Sequence, residues 1–121
     1  MSLAIEIYKS DGGKCRIELQ GRLDTNTASE FDEKVGALDP QEFPIQVVDL
    51  AGLEYVSSAG VRSLFKARKA ASDAGSQLLL VKPQPQVKKV FDIIKALPTT
   101  AVFESVEEMD SYLDAMQRKS S

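Results

Sequence analysis

The sequence predicts an α/β fold built on a mixed, mainly parallel sheet of about five strands with about four helices. Two stretches of strict alternation open the chain, at Leu3, Ile5 and Ile7 and again at Cys15, Ile17 and Leu19. After them, helix-spaced apolar residues and short apolar runs take turns to the end of the chain. Alternation of that kind implies parallel strands joined by right-handed crossovers, with the N-terminal strand as the antiparallel exception. The 121 residues are 43% hydrophobic and 27% charged, which places the chain among soluble globular proteins with a single core. Residues 1–117 read as that one domain, and Arg118-Lys119-Ser120-Ser121 as a frayed tail.

In order, Leu3, Ile5 and Ile7 face one way and Ala4, Glu6 and Tyr8 the other, the period of a half-buried strand. Ser10-Asp11-Gly12-Gly13 is a turn, and Cys15, Ile17 and Leu19 against Arg16, Glu18 and Gln20 complete a hairpin. A helix follows to about Leu38, with Ala28, Phe31, Val35 and Leu38 on one face and Asp39-Pro40 closing it. Thr27 and Glu30 have capping-box spacing there, although Thr25 or Asn26 could equally supply the cap. Ile45 to Leu50 is the next strand. From about Ser58, Val61, Leu64, Phe65, Arg68 and Ala71 give a second helix, with Arg62, Lys66, Lys69 and Asp73 largely opposite and Gly75 as its stop. Leu78-Leu79-Leu80-Val81 reads as a strand covered on both faces. Pro85 opens a third helix striped by Val87, Val90, Phe91, Ile94 and Leu97. Ala101 to Phe103 is a brief strand. Val106, Met109, Tyr112, Leu113 and Met116 mark a last helix, with Ser105 at its cap.

Several function classes are excluded by composition. A formal charge of −3 argues against nucleic acid as the main partner, because phosphate binding needs concentrated Lys and Arg. Histidine is absent, which removes the commonest general base and every Ser-His-Asp arrangement. The lone Cys15 cannot form an internal disulfide, reads as a buried small hydrophobe and fits a cytoplasmic address. No signal peptide is visible at Met1-Ser2-Leu3-Ala4-Ile5-Glu6, and no apolar run approaches the roughly 20 residues of a membrane helix, so direct membrane insertion is not expected. The Gly12-Gly13 pair has no following Lys and makes no phosphate loop. No Cys-x-x-Cys or His-based spacing would hold a metal, and no cofactor is implied. The serine pair is not a nucleophile elbow, since Val56 stands two residues before Ser58 and no histidine is available. Glu54 lacks a paired acid and reads as solvated surface. A small enzyme or nucleotide-binding protein is therefore the weaker class of reading, one that nucleotide titration would test.

Two places remain. In open α/β sheets, ligands gather beyond the carboxyl ends of the strands. The Asp24-Thr25-Asn26-Thr27 loop and the Ser57-Ser58 loop both qualify, and they share one edge if their helices are neighbours. At a strand-to-helix junction the first-turn N–H groups lack partners and the helix dipole is positive, so serines there either cap the helix or carry an anion. Asp24 reads first as a turn or cap residue.

At these residues the chain resembles the STAS family, and within it the bacterial anti-sigma factor antagonists. Gly21-Arg22-Leu23-Asp24-Thr25-Asn26-Thr27-Ala28 is similar to that family's Gly-x-Leu-Asp loop. Asp49-Leu50 through Tyr55-Val56-Ser57-Ser58-Ala59-Gly60-Val61 is similar to its strand, loop and phosphoserine segment, and Pro83 through Leu97 to its third helix. The match covers nearly the whole chain. In the family, a serine following an aspartate is phosphorylated by the cognate anti-sigma kinase. Ser58 matches that serine, Ala59 and Gly60 the small residues after it, and Ser57 stands where the family often has aspartate, which offers a second serine. The resemblance implies phosphorylation at Ser58, or less favourably Ser57, and a partner-binding surface of Asp24, Thr25, Ser57, Ser58, Ala59, Gly60 and Arg62. Its implied partners are an anti-sigma factor serine kinase and a phosphatase. The domain would be substrate and ligand, not catalyst. The alternative within the family is a non-phosphorylated scaffold subunit of a lipid-transport or stress-sensing complex.

Overall fold

The computed structural model describes residues 3–10 and 12–96. The elements predicted beyond them (the strand at Ala101 to Phe103, the last helix with its Ser105 cap, and the tail) lie outside the described residues, as do Leu97 and the Ile94 side chain. Strands β1 (Leu3–Ser10) and β2 (Lys14–Leu23) form the antiparallel hairpin, with Leu3 opposite Gly21 and Ser10 opposite Lys14. Helix α1 (Ala28–Gly36) leads to β3 (Ile45–Val56), helix α2 (Ser58–Asp73) to β4 (Gln77–Val81), and helix α3 (Pro85–Ala96) follows. The sheet order is β1-β2-β3-β4, with β3 parallel to both neighbours. This is the mixed, mainly parallel α/β architecture that the sequence predicts.

The core lies on the helix-covered face. Ile17, Leu19 and Leu23 of β2, Val48, Leu50, Leu53 and Val56 of β3, Phe31 of α1, Leu64 of α2 and Val87 and Val90 of α3 are all buried. Cys15 is among these inward residues, and burial pushes its thiol pKa up, so it sits as a protonated apolar group. The opposite face is open. Tyr8, Arg16, Val47 and Leu79 lie in one cross-strand row there, and Leu79 is 45% exposed. That corrects the reading of Leu78 to Val81 as covered on both faces. Leu78 points into the core and Leu79 out, because helices cover only one side of β4.

A second correction concerns β3. Its alternation ends near Leu50, yet the strand continues to Val56. The register shows why: Glu18 pairs with Asp49, but Gln20 with Gly52, and Gly21 pairs with Leu53, but Arg22 with Tyr55. Two extra residues are thus accommodated on β3. Such bulges re-aim side chains, and they convert the inward period from two to three at Leu50, Leu53 and Val56. Gly52 fits at the first irregularity because a Cβ there would stand 2.7 Å from Gln20 Cγ and 2.9 Å from the Leu19 carbonyl. Farther on, the Gln84 side chain donates to the Ala51 carbonyl (2.7 Å) and that of Gln86 to the Glu54 carbonyl (3.1 Å), tying the start of α3 to this extension. No helix among the described residues is long and apolar enough to cross a membrane.

Candidate functional site

Because β2 and β3 are parallel neighbours, the loops that follow them emerge together. Leu23 pairs with Val56, and the Ser57 N–H donates to the Leu23 carbonyl at 3.0 Å. The condition for a single surface is therefore met: Asp24 and Ser57, each the first residue after its strand, stand at one edge.

The Asp24 loop is closed by its own polar groups. Asp24 Oδ1 accepts from the backbone N–H of Asn26 (3.0 Å) and of Thr27 (3.2 Å). The Thr27 hydroxyl accepts from the Asp24 N–H and donates to the Arg22 carbonyl, both at 2.9 Å. The capping-box expectation is corrected here. Thr27 holds the cap position of α1 in a helical conformation and its side chain makes no cap bond, since its hydroxyl is turned back to Asp24 and Arg22. Neither Thr25 nor Asn26 replaces it; the loop carboxylate serves the N–H groups instead. Both of those residues are exposed.

Arg22 was not singled out by the sequence. Its guanidinium carbon lies 3.9 Å from the centre of the Tyr55 ring, and its Nε is 3.9 Å from Asp24 Oδ2. A guanidinium over an aromatic face is held by the ring quadrupole, and the carboxylate fixes its other side. The contact depends on Arg22 and Tyr55 being register partners beyond the second bulge, so no local pattern signals it.

The second loop is built by packing. Ser57 is extended (φ −93°, ψ 177°), and its Oγ accepts from the Gly60 N–H at 3.3 Å, so Ser57 is the N-cap of α2. Ser58 is the first helical residue. Of the two readings left open for the serine pair, the cap is met by Ser57. Ser57 is 4% and Ser58 6% exposed, while Ala59 is half-buried. Gly60 explains the burial. A Cβ on it would run into the Leu23 carbonyl oxygen and stand 2.9 Å from both Leu23 Cγ and Val56 Cγ2. The first turn of α2 is wedged against the ends of β2 and β3, and only glycine permits that approach. Arg62, one turn on, is exposed. The arrangement therefore brings all seven predicted site residues to one edge, with Thr25 and Arg62 as its exposed members.

Comparisons with known proteins agree with this architecture. The STAS domain family matches residues 4–109. BtrV of Bordetella bronchiseptica, named as a candidate anti-sigma factor antagonist, is 32% identical over 90 residues, covering 74% of this chain and 77% of its own. Among solved structures, an anti-sigma factor antagonist from Mycobacterium paratuberculosis superposes with a TM-score of 0.65 at 17% identity, over 93% of this chain and 94% of that one. The unphosphorylated form of the anti-sigma factor antagonist SpoIIAA does so with a TM-score of 0.62 at 20% identity, over 74% and 83%. Its phosphorylated form gives the same score. With the family matched across most of its length and its sheet, helices and loops arranged as in these structures, the chain belongs to the STAS domain family.

Proposed function

We propose that this domain is an anti-sigma factor antagonist of the partner-switching kind. Unphosphorylated, it binds an anti-sigma factor kinase in the cytoplasm and so frees a sigma factor; phosphorylation of Ser58 ends binding, and a phosphatase restores it. The observation that carries the reading is the position of Ser58. It opens α2 beside the Asp24 loop, and the capping work is done by its neighbour Ser57. The relationship to BtrV supports the same role. The domain is then a substrate and a ligand rather than an enzyme.

Charge gives the switch its direction. A phosphate adds roughly −1.5 to −2 charge. At the positive end of a helix that is mildly favourable, on the order of 0.3–1 kcal/mol, so the fold should survive. In a closed interface the same group is bulky and desolvated, and penalties of several kcal/mol reduce affinity about a hundredfold or more.

Mixed with its cognate kinase and ATP, the protein is expected to gain one phosphate, placed on Ser58 by mass spectrometry. Undiminished phosphorylation of Ser58→Ala would sink the assignment. Ser58→Asp should weaken kinase binding with circular dichroism and melting near wild type.

One observation favours a second reading. Both serine hydroxyls belong to nearly buried residues, as suits a scaffold subunit of a lipid-transport or stress-sensing assembly that is never phosphorylated. Copurification with transporter or particle subunits, together with an unmodified Ser58 in the native host, would select it. Under the first reading, the first turn of α2 must open for the kinase.

A further inference from the structure

We infer that Arg62 is the counterion of a phosphate carried on Ser58, an assignment that rests on the phosphorylation proposed above. Ser58 and Arg62 are four residues apart within one helix, α2, which runs from Ser58 to Asp73. Residues at that spacing are neighbours on the helix surface, about 5–6 Å between Cβ atoms. Helical side chains also lean toward the helix N-terminus, so the long arm of Arg62 covers the turn that begins at Ser58. Its guanidinium can meet phosphate oxygens two at a time, which a lysine cannot do.

The surroundings leave this task to Arg62. It makes no ion pair among the described residues and is exposed. Arg22, another cation at this edge, is already stacked on Tyr55 and directed at Asp24. No acidic residue stands in the first turn of α2 to repel a phosphate, although Glu54 and Asp24 supply negative charge on the strand side. The Ser58 side chain is nearly buried, so a phosphoryl group on it cannot stay where the hydroxyl now lies. It must emerge toward solvent, where Arg62 waits. Phosphorylation then does two things to the partner surface at once: it adds negative charge at Ser58 and withdraws the positive charge of Arg62.

The test uses the full chain with phosphoserine installed at position 58 during translation, so no kinase is required. Wild type, Arg62→Ala and Arg62→Lys are each compared with and without the phosphate. Unphosphorylated, the three should melt together, because position 62 is exposed surface. Phosphorylated wild type should melt at or above its unmodified form. Phosphorylated Arg62→Ala should fall on the order of 3 °C below phosphorylated wild type, with Arg62→Lys between them and the gap narrowing in about 1 M salt. Phosphorus NMR should show the second phosphoserine proton leaving at lower pH in wild type than in Arg62→Ala, because a nearby cation favours the dianion. Equal melting shifts and equal titrations in wild type and Arg62→Ala would overturn the pairing, as would a phosphorylated wild type that does not fold. A kinase that never modifies Ser58 would instead defeat the proposed switch and leave these results unchanged.

Discussion

The chain passes from strand to helix at the ends of both β2 and β3, and the two junctions are held by different forces. At the first, hydrogen bonds do the holding: the Asp24 carboxylate and Thr27 hydroxyl satisfy three backbone N–H groups and one carbonyl within six residues. At the second, one cap bond from Ser57 is joined by a steric wedge, Gly60 against the Leu23 carbonyl. A polar network tolerates changes of volume at its exposed tip but not the loss of a partner. A wedge tolerates neither added volume nor a shift of its backing strand. The surface proposed for partner binding thus combines a self-contained polar loop, with Thr25 exposed, and a tightly seated helix start. At the second junction, chemistry is confined to what can turn outward.

The comparison breaks most visibly at Gly60. Alanine for glycine inside an exposed helix normally gains about 1 kcal/mol through propensity. Here a Cβ would collide with a backbone carbonyl, and overpacking of this kind costs about 1–3 kcal/mol. We expect the packing to win, with Gly60→Ala melting well below wild type in thermal unfolding. A melting point at or above wild type would mean that α2 is not wedged against β2.

Thr27→Val is the matching test of the polar junction. The shapes are nearly equal, but valine leaves the Asp24 N–H and the Arg22 carbonyl without the partner they share at a position only 6% exposed. Leaving such groups unsatisfied costs roughly 1–3 kcal/mol. The loss should appear in urea unfolding as a lower midpoint at unchanged slope. A neutral result would show that water enters the loop and that the first junction is looser than its distances imply.

These two junctions also mark where the sequence could be read and where it could not. The hairpin was legible because Leu3, Ile5, Ile7 and Cys15, Ile17, Leu19 alternate without interruption and keep one face inward. The start of α2 at Ser58 was legible from the helical spacing of Val61, Leu64 and Phe65 and from serines suited to a cap. The last six residues of β3 were hidden because the bulges replace alternation with a spacing of three, which resembles neither a regular strand nor a long helix. The Arg22–Tyr55 stack was hidden for the same reason, since it exists only in the bulged register. The exposed side of Leu79 was misjudged because four apolar residues in a row carry no periodicity to say which face is covered. The two loops were readable by motif; the forces that hold them depend on contacts between β2 and β3 that no single stretch of chain contains.

The smallest expected effect separates cap chemistry from space at Ser57. Ser57→Ala removes the acceptor of the Gly60 N–H and should cost about 1 kcal/mol. Ser57→Asp restores an acceptor of equal N-cap rank and adds a charge that the helix dipole favours, so it should lie within about 0.5 kcal/mol of wild type. Chemical denaturation of the two variants side by side makes the distinction. If aspartate is as damaging as alanine, the nearly buried pocket around Ser57 has no room for a carboxylate. Position 57 would then be set by the same wedge that fixes Gly60, and the serine in place of the family's frequent aspartate would be a packing choice. If aspartate is tolerated, the cap bond alone defines the position, and the second junction, like the first, owes part of its order to a side-chain oxygen serving a backbone N–H.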